Sequence, residues 1–108
     1  MTPRPVSPSG LRLALRAGCL RVIAERAELN RINVFPVADG DTGTNLALTV
    51  GAIWHGLREP TGRSAVAVLR RAAAEANDHA RGNSGALLAH FLQGAVDALP
   101  GQSTLTTA

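Results

Sequence analysis

Val66, Leu69, Ala73, Ala76 and Ala80 recur at spacings of three, four, three and four residues, which commits this stretch to a helix with a narrow apolar seam of small side chains. Small residues let a neighbouring helix approach closely. The same rhythm runs through most of the chain. Leu11, Ala14, Leu15, Gly18 and Val22 form one stripe, and Leu13, Ala17, Leu20, Ala24 and Ala27 a second. A helix from Leu11 to about Leu29 therefore carries apolar positions on two sides and needs neighbours on both; Arg21 and Glu25 sit one turn apart on its surface. Leu46, Val50, Ile53 and Leu57 predict another helix, capped by Thr44 or Asn45, and Leu88, Leu92, Ala95 and Leu99 a fourth, capped by Ser84. No internal repeat and no strand-like alternation interrupts this pattern. The expected fold class is all-α, an antiparallel helical bundle.

The length of 108 residues suffices for one compact core and not for two. Three prolines and two serines among residues 1–9 mark residues 1–10 as a flexible leader, residues 11–99 as the folded part and residues 100–108 as a polar tail. Apolar residues make up 45% of the chain and charged residues 18%, the balance of a globular protein. No apolar run approaches the roughly 20 residues that span a bilayer, and Met1-Thr2-Pro3-Arg4-Pro5 does not open a signal peptide, so a cytoplasmic location is expected. Cys19, the only cysteine, lies among Leu15, Leu20 and Val22 and reads as a small buried apolar side chain. All eleven basic side chains are arginine. Without lysine there is no Schiff base and no Walker-type phosphate lysine, so a phosphate would have to be held by metal, backbone N–H groups or arginine. The arginines are dispersed and only Phe35, Trp54 and Phe91 are aromatic, which argues against nucleic acid as a partner.

Between the first two helices, residues 30–45 concentrate asparagine, proline, glycine, aspartate and threonine beyond what a helix interior or central strand tolerates. Within this loop Asp39 and Asp41 are separated by one glycine, so two carboxylates can converge on one hard cation such as magnesium, with Gly40 and Gly43 supplying backbone freedom. The loop runs into a helix start, where free N–H groups and the positive end of the helix dipole favour phosphate. Thr42, Thr44 and Asn45 add neutral oxygen and amide groups that bind water, phosphate or metal. The same residues also suit an Asx-type turn with a capping aspartate. A calcium loop of the EF-hand type fits poorly: counted from Asp39, its sixth position is Thr44 rather than glycine and its twelfth is Val50 rather than glutamate.

Arg81-Gly82-Asn83-Ser84-Gly85 is a second glycine-bearing break before a helix. Ser84 and the N–H of Gly85 can contact phosphate there, and Arg81 can neutralise charge on a transferred phosphoryl group. Alone, the segment reads more readily as a serine cap after a glycine turn preceded by a solvated arginine. His55, His79 and His90 fall on three different predicted helices without metal-ligand spacing, and Trp54 and Phe91 suit helix packing.

Taken together and in this order, the two segments resemble the ATP-binding helical domain of the dihydroxyacetone kinase L subunit and of the bacterial fatty acid kinase N-terminus. The likeness to the second branch is closer: its pattern reads here as Leu29-Asn30-Arg31-Ile32-Asn33-Val34-Phe35-Pro36-Val37-Ala38-Asp39-Gly40-Asp41-Thr42-Gly43-Thr44-Asn45-Leu46. Ala80-Arg81-Gly82-Asn83-Ser84-Gly85 matches a second family segment throughout. The resemblance implies a kinase domain in which Asp39 and Asp41, with Asn33, ligate Mg2+ bound to ATP or ADP. Thr42, Gly43, Thr44 and Asn45 would line the phosphate side, and Asn83, Ser84 and Gly85 would face the nucleotide, with Arg81 beside them. It further implies the first part of a helical barrel, acting by phosphoryl transfer to a fatty acid or to dihydroxyacetone held by a separate acceptor-binding partner protein. Ala38 and Leu46 depart from the proline and methionine usual at those places without removing a ligand. The family domain extends beyond the equivalent of Leu99. Two-sided helices without that continuation are expected to expose apolar surface and to need a partner chain, self-association into a homo-oligomer or further sequence, with a non-catalytic remnant as the alternative.

Overall fold

The computed structural model describes residues 4–32, 41–60, 64–99 and 106–107. The order is β1 (Arg4–Pro5), α1 (Pro8–Ala24), α2 (Arg26–Arg31), α3 (Thr42–Gly56), α4 (Ala65–His79), α5 (Gly82–Asp97) and β2 (Thr106–Thr107). The all-α reading holds, with β1 and β2 as a minimal antiparallel pair in the register Arg4↔Thr107 and Pro5↔Thr106.

Helix boundaries follow from caps more closely than from apolar spacing. Helix α1 starts at Pro8, inside the expected leader, because the Ser7 hydroxyl accepts from the Gly10 N–H at 3.2 Å and proline is pre-set for the first helical turn. The single helix expected as far as Leu29 is broken at Glu25, whose N–H is shared between the carbonyls of Arg21 and Val22, and α2 leaves from there. Helix α3 opens at Thr42, two residues before the expected cap, with Asp41 in the capping position. Helix α5 opens at Gly82 with Arg81 in the capping position, so Ser84 lies within the first turn rather than capping it. Helix α4 has a serine cap as α1 does: the Ser64 hydroxyl accepts from the Ala67 N–H at 3.1 Å.

Helix α3 is central and packs on α1, α2, α4 and α5; α4 packs on α1, α3 and α5. Among the described residues α1 and α5 do not meet and occupy opposite flanks of the α3–α4 pair. The core joins Cys19, Val50, Ile53, Leu57, Val68, Ala72, Ala76 and Ala89, and full burial of a side chain such as Leu57 contributes about 2 kcal/mol. Burial on α4 takes in Val68 and Ala72 as well as the predicted Val66, Ala73 and Ala76, because this helix faces three neighbours rather than one. Burial pushes the Cys19 thiol above its ordinary pKa, with the Arg16 charge acting in the opposite direction.

The flanking helices present apolar side chains outward, Leu13 and Leu20 on α1, Leu87 and Phe91 on α5. Phe91, expected to pack, is 70% exposed. Ala95 is exposed too, and Leu46, Leu88, Leu92 and Leu99 are half-buried, because no further helix covers that side of α5 among the described residues. Trp54 is half-buried under the Arg16 guanidinium, 4.4 Å from the ring centre, with His55 edge-on to it.

Candidate functional site

The two sequence segments singled out above meet at one end of the bundle, where α3 and α5 begin. Thr49, about two turns into α3 and fully buried, makes the junction. Its hydroxyl donates to the Asn45 carbonyl at 2.9 Å and accepts from the Arg81 N–H at 3.0 Å. A second tie runs from the Ser84 hydroxyl, which donates to the Thr42 carbonyl at 3.3 Å. These bonds hold the start of α5 against the first turn of α3 with little space between them. A Cβ on Gly85 would overlap the Thr49 hydroxyl.

Gly82 is the described residue with a left-handed backbone, φ +64°, and a Cβ there would overlap the Asn45 side-chain amide and approach its Cγ to 2.7 Å. Gly82→Ala is expected to lower stability by about 1–2 kcal/mol, from the left-handed conformation plus the displaced Asn45, as read by urea denaturation. A change below about 0.5 kcal/mol would mean that the α5 start tolerates another backbone path.

Helix α2 closes the third side. The Asn30 side chain accepts from the Thr44 N–H and donates to the Thr44 hydroxyl, both at 2.9 Å, so one amide occupies two polar groups in the first turn of α3. Gly43 beside it is buried and helical: a Cβ there would overlap the Arg26 carbonyl oxygen and stand 2.8 Å from Leu29 Cβ. Its role is close approach between helices, not the unusual backbone angles expected of it.

Of the predicted site residues, Asp41, Thr42, Gly43, Thr44, Asn45, Arg81, Asn83, Ser84 and Gly85 are gathered at this end. Asp41, Arg81 and Asn83 are exposed, Thr42, Thr44 and Asn45 half-buried, and Gly43, Ser84 and Gly85 buried. Asn33, Asp39 and Gly40 lie outside the described residues, and among the described ones no group of three or more His, Cys, Asp or Glu converges as a metal cage. His55, His79 and His90 stay exposed on separate helices. Beside the two helix starts opens a cleft of about 380 Å³ lined by Thr42, Leu46, Ser84, Leu87, Leu88 and Phe91, apolar apart from its two hydroxyl residues.

The starts of α3 and α5 lie at one end of the bundle, and a helix N-terminus favours an anion, yet Asp41 brings a carboxylate to the start of α3. The side-chain oxygens of Asp41, Thr42 and Asn45 are of the type that could hold a hard divalent ion. Thr49 and Asn30 carry no obvious mark in the sequence as site residues. The one available signal for Thr49 is a hydroxyl on the inward face of α3, directly before Val50; Asn30 has only its place ahead of the loop.

The family model described as DAK2 domain matches residues 36–108, a span that takes in the first segment from Pro36 onward and the whole of the second. The chain belongs to the DAK2 domain family. This is the kinase-related family to which the dihydroxyacetone kinase L-subunit resemblance pointed. Among curated relatives, an uncharacterized protein of Mycoplasma genitalium, MG369, is 50% identical over 36 residues, 33% of this chain and 6% of that protein. The MG369 homolog of Mycoplasma pneumoniae, also uncharacterized, is 32% identical over 82 residues, 74% of this chain and 15% of that protein. The DAK2 chain thus spans a small part of the length of these relatives. Among its described residues no helix is long and apolar enough to cross a membrane.

Proposed function

We infer that this DAK2 domain binds ATP with Mg2+ and serves phosphoryl transfer. The supporting observation is the junction of the α3 and α5 starts through Thr49 and Ser84, which brings the segments that carry Asp41 and Arg81 to one end of the bundle. Asp41, with Asp39 and Asn33 from the preceding loop, would hold the metal. Bound magnesium would neutralise phosphate charge and draw the phosphate oxygens into line. Backbone N–H groups at the starts of α3 and α5 would orient the phosphates, Asn45, Asn83 and Ser84 would add neutral contacts, and Arg81 would offset charge on the transferred group. The apolar cleft beside Thr42 and Ser84 has the size and lining for the purine. Nothing in this arrangement calls for a protein nucleophile or for lysine.

The likeness of residues 29–46 to the fatty acid kinase branch favours a fatty acid as acceptor, converted to its acyl phosphate while presented by a separate lipid-binding protein. Dihydroxyacetone held by its own binding subunit is the second acceptor reading. The small share of its relatives that the chain covers, together with the exposed Leu13, Leu20, Leu87 and Phe91, favours action as one part of a larger assembly.

Isothermal titration of the full chain with ATP tests the nucleotide reading. Binding is expected to require Mg2+ and to weaken at least about tenfold in Asp41→Ala, the loss of one charge-assisted contact. Absence of binding, or equal affinity with and without Asp41, overturns it.

A further inference from the structure

The opposite end of the bundle holds a second concavity. Fifteen residues of α3 at about 1.5 Å each put roughly 22 Å between it and the α3 start. Its volume is about 630 Å³, and His55, Gly56, Arg58, Glu59, Pro60, Ala67, Arg70 and Arg71 line it, from the end of α3, the turn after it and the first half of α4. Three arginines against one carboxylate among the described lining residues make this a basic concavity, and the neighbouring Arg12 and Arg16 are already committed.

Those commitments separate the residues. Arg12 donates to the carbonyls of Leu57 at 2.9 Å and Arg58 at 3.3 Å, and Arg16 donates to the Trp54 carbonyl at 3.4 Å, so both close the C-terminal end of α3. Arg71 is tied to Glu75 at 3.2 Å, and Glu75, which also faces His79 at 3.7 Å, is held beside Gly56, where a Cβ would overlap its side chain. Arg58 and Arg70 make no side-chain hydrogen bond or ion pair among the described residues. An exposed arginine on a convex surface is commonly just solvated, but these two share a hollow large enough for a small molecule. The guanidinium fork matches the two oxygens of a carboxylate or phosphate, and the edges of Pro60, Ala67 and the His55 ring supply an apolar wall.

We propose that the hollow between the end of α3 and the first half of α4 is a binding site for a small organic oxyanion, held by Arg58 and Arg70 with Arg71 beside them. The ligand carries a carboxylate or phosphate group on a compact apolar body. Glu59 limits it to ligands whose charge lies toward the arginines. The site is separate from the nucleotide end and does not depend on it.

Titration of the full chain with phenyl phosphate and, separately, benzoate at constant ionic strength, followed by backbone amide NMR, tests this site without nucleotide present. Saturable shifts are expected at Gly56 and Ala67 with at least one of the probes, and the probe that binds more tightly identifies the phosphate or carboxylate class. In the double variant Arg58→Gln, Arg70→Gln the affinity is expected to fall at least about tenfold, while circular dichroism of the variant stays that of the parent. No saturable shift with either probe up to about 50 mM, or shifts that persist unchanged in the folded double variant, would overturn the assignment.

Discussion

Gly43→Ala is expected to destabilise the protein by about 3 kcal/mol, the upper part of the range for an added methyl group in a packed interior. The reason lies in what the methyl meets. It would overlap the backbone carbonyl oxygen of Arg26 and crowd the backbone nitrogen of Asn30, at 2.9 Å, and neither can turn aside as a flexible side chain does. Helix α2 would have to move off α3. That motion would separate Asn30 from Thr44 and release both 2.9 Å bonds that order the first turn of α3. For a domain of this size each kcal/mol lowers the melting temperature by roughly 4–8 °C, so thermal denaturation should report a fall of about 12–24 °C. Gly51→Ala supplies the control: Gly51 lies on the same helix with nothing within 4 Å of a new Cβ. There alanine should be neutral or stabilising by up to about 1 kcal/mol, because only the helix propensity changes. Equal effects of the two variants would show that the α2–α3 approach does not constrain this end of the fold.

Thr49→Val is expected to cost about 2 kcal/mol, although the side chain keeps its shape and the position is fully buried. Removing the hydroxyl strips the Arg81 N–H of its acceptor at the start of α5 and leaves a donor facing a methyl group. Thr49→Ser keeps both bonds and loses one buried methyl, so its cost should stay near 1 kcal/mol. Denaturant unfolding of the pair measures the difference. If serine proves the more damaging change, packing rather than the hydrogen bond holds α5 to α3. The comparison reaches the nucleotide reading too, since the same hydroxyl keeps Arg81, Gly82 and Ser84 beside Thr42.

Sequence and structure agree best where a side chain's role depends on its own helix. The spacing of Val66, Ala73 and Ala76 and that of Val50, Ile53 and Leu57 place these residues in the interior, where they are found. Periodicity was a poorer guide on the flanks. Phe91 and Ala95 have helical spacing and still face outward, because burial needs a neighbouring element and α5 has none on that side among the described residues. Helix starts were displaced by two or three residues, since Ser7, Asp41 and Arg81 occupy capping positions that apolar spacing does not register.

The candidate site divides in the same manner. Residue types and their order pointed to Asp41, Thr42, Asn45, Arg81 and Ser84, because acid, hydroxyl, amide and glycine ahead of a helix have a chemistry that needs no fold to be read. Asn30 and Thr49 became visible only in three dimensions. Their partners lie 14 and 32 residues away, and a hydrogen bond of that reach leaves no local pattern. Gly43 shows the limit most clearly: its sequence context marks it as a loop glycine, whereas its position against the Arg26 carbonyl makes it a helix-contact glycine. The sequence by itself determined an all-α fold and the chemical kind of the site. The tertiary structure decided which of those residues stand together, because contact between separate helices is set by packing across the core and not by spacing along the chain.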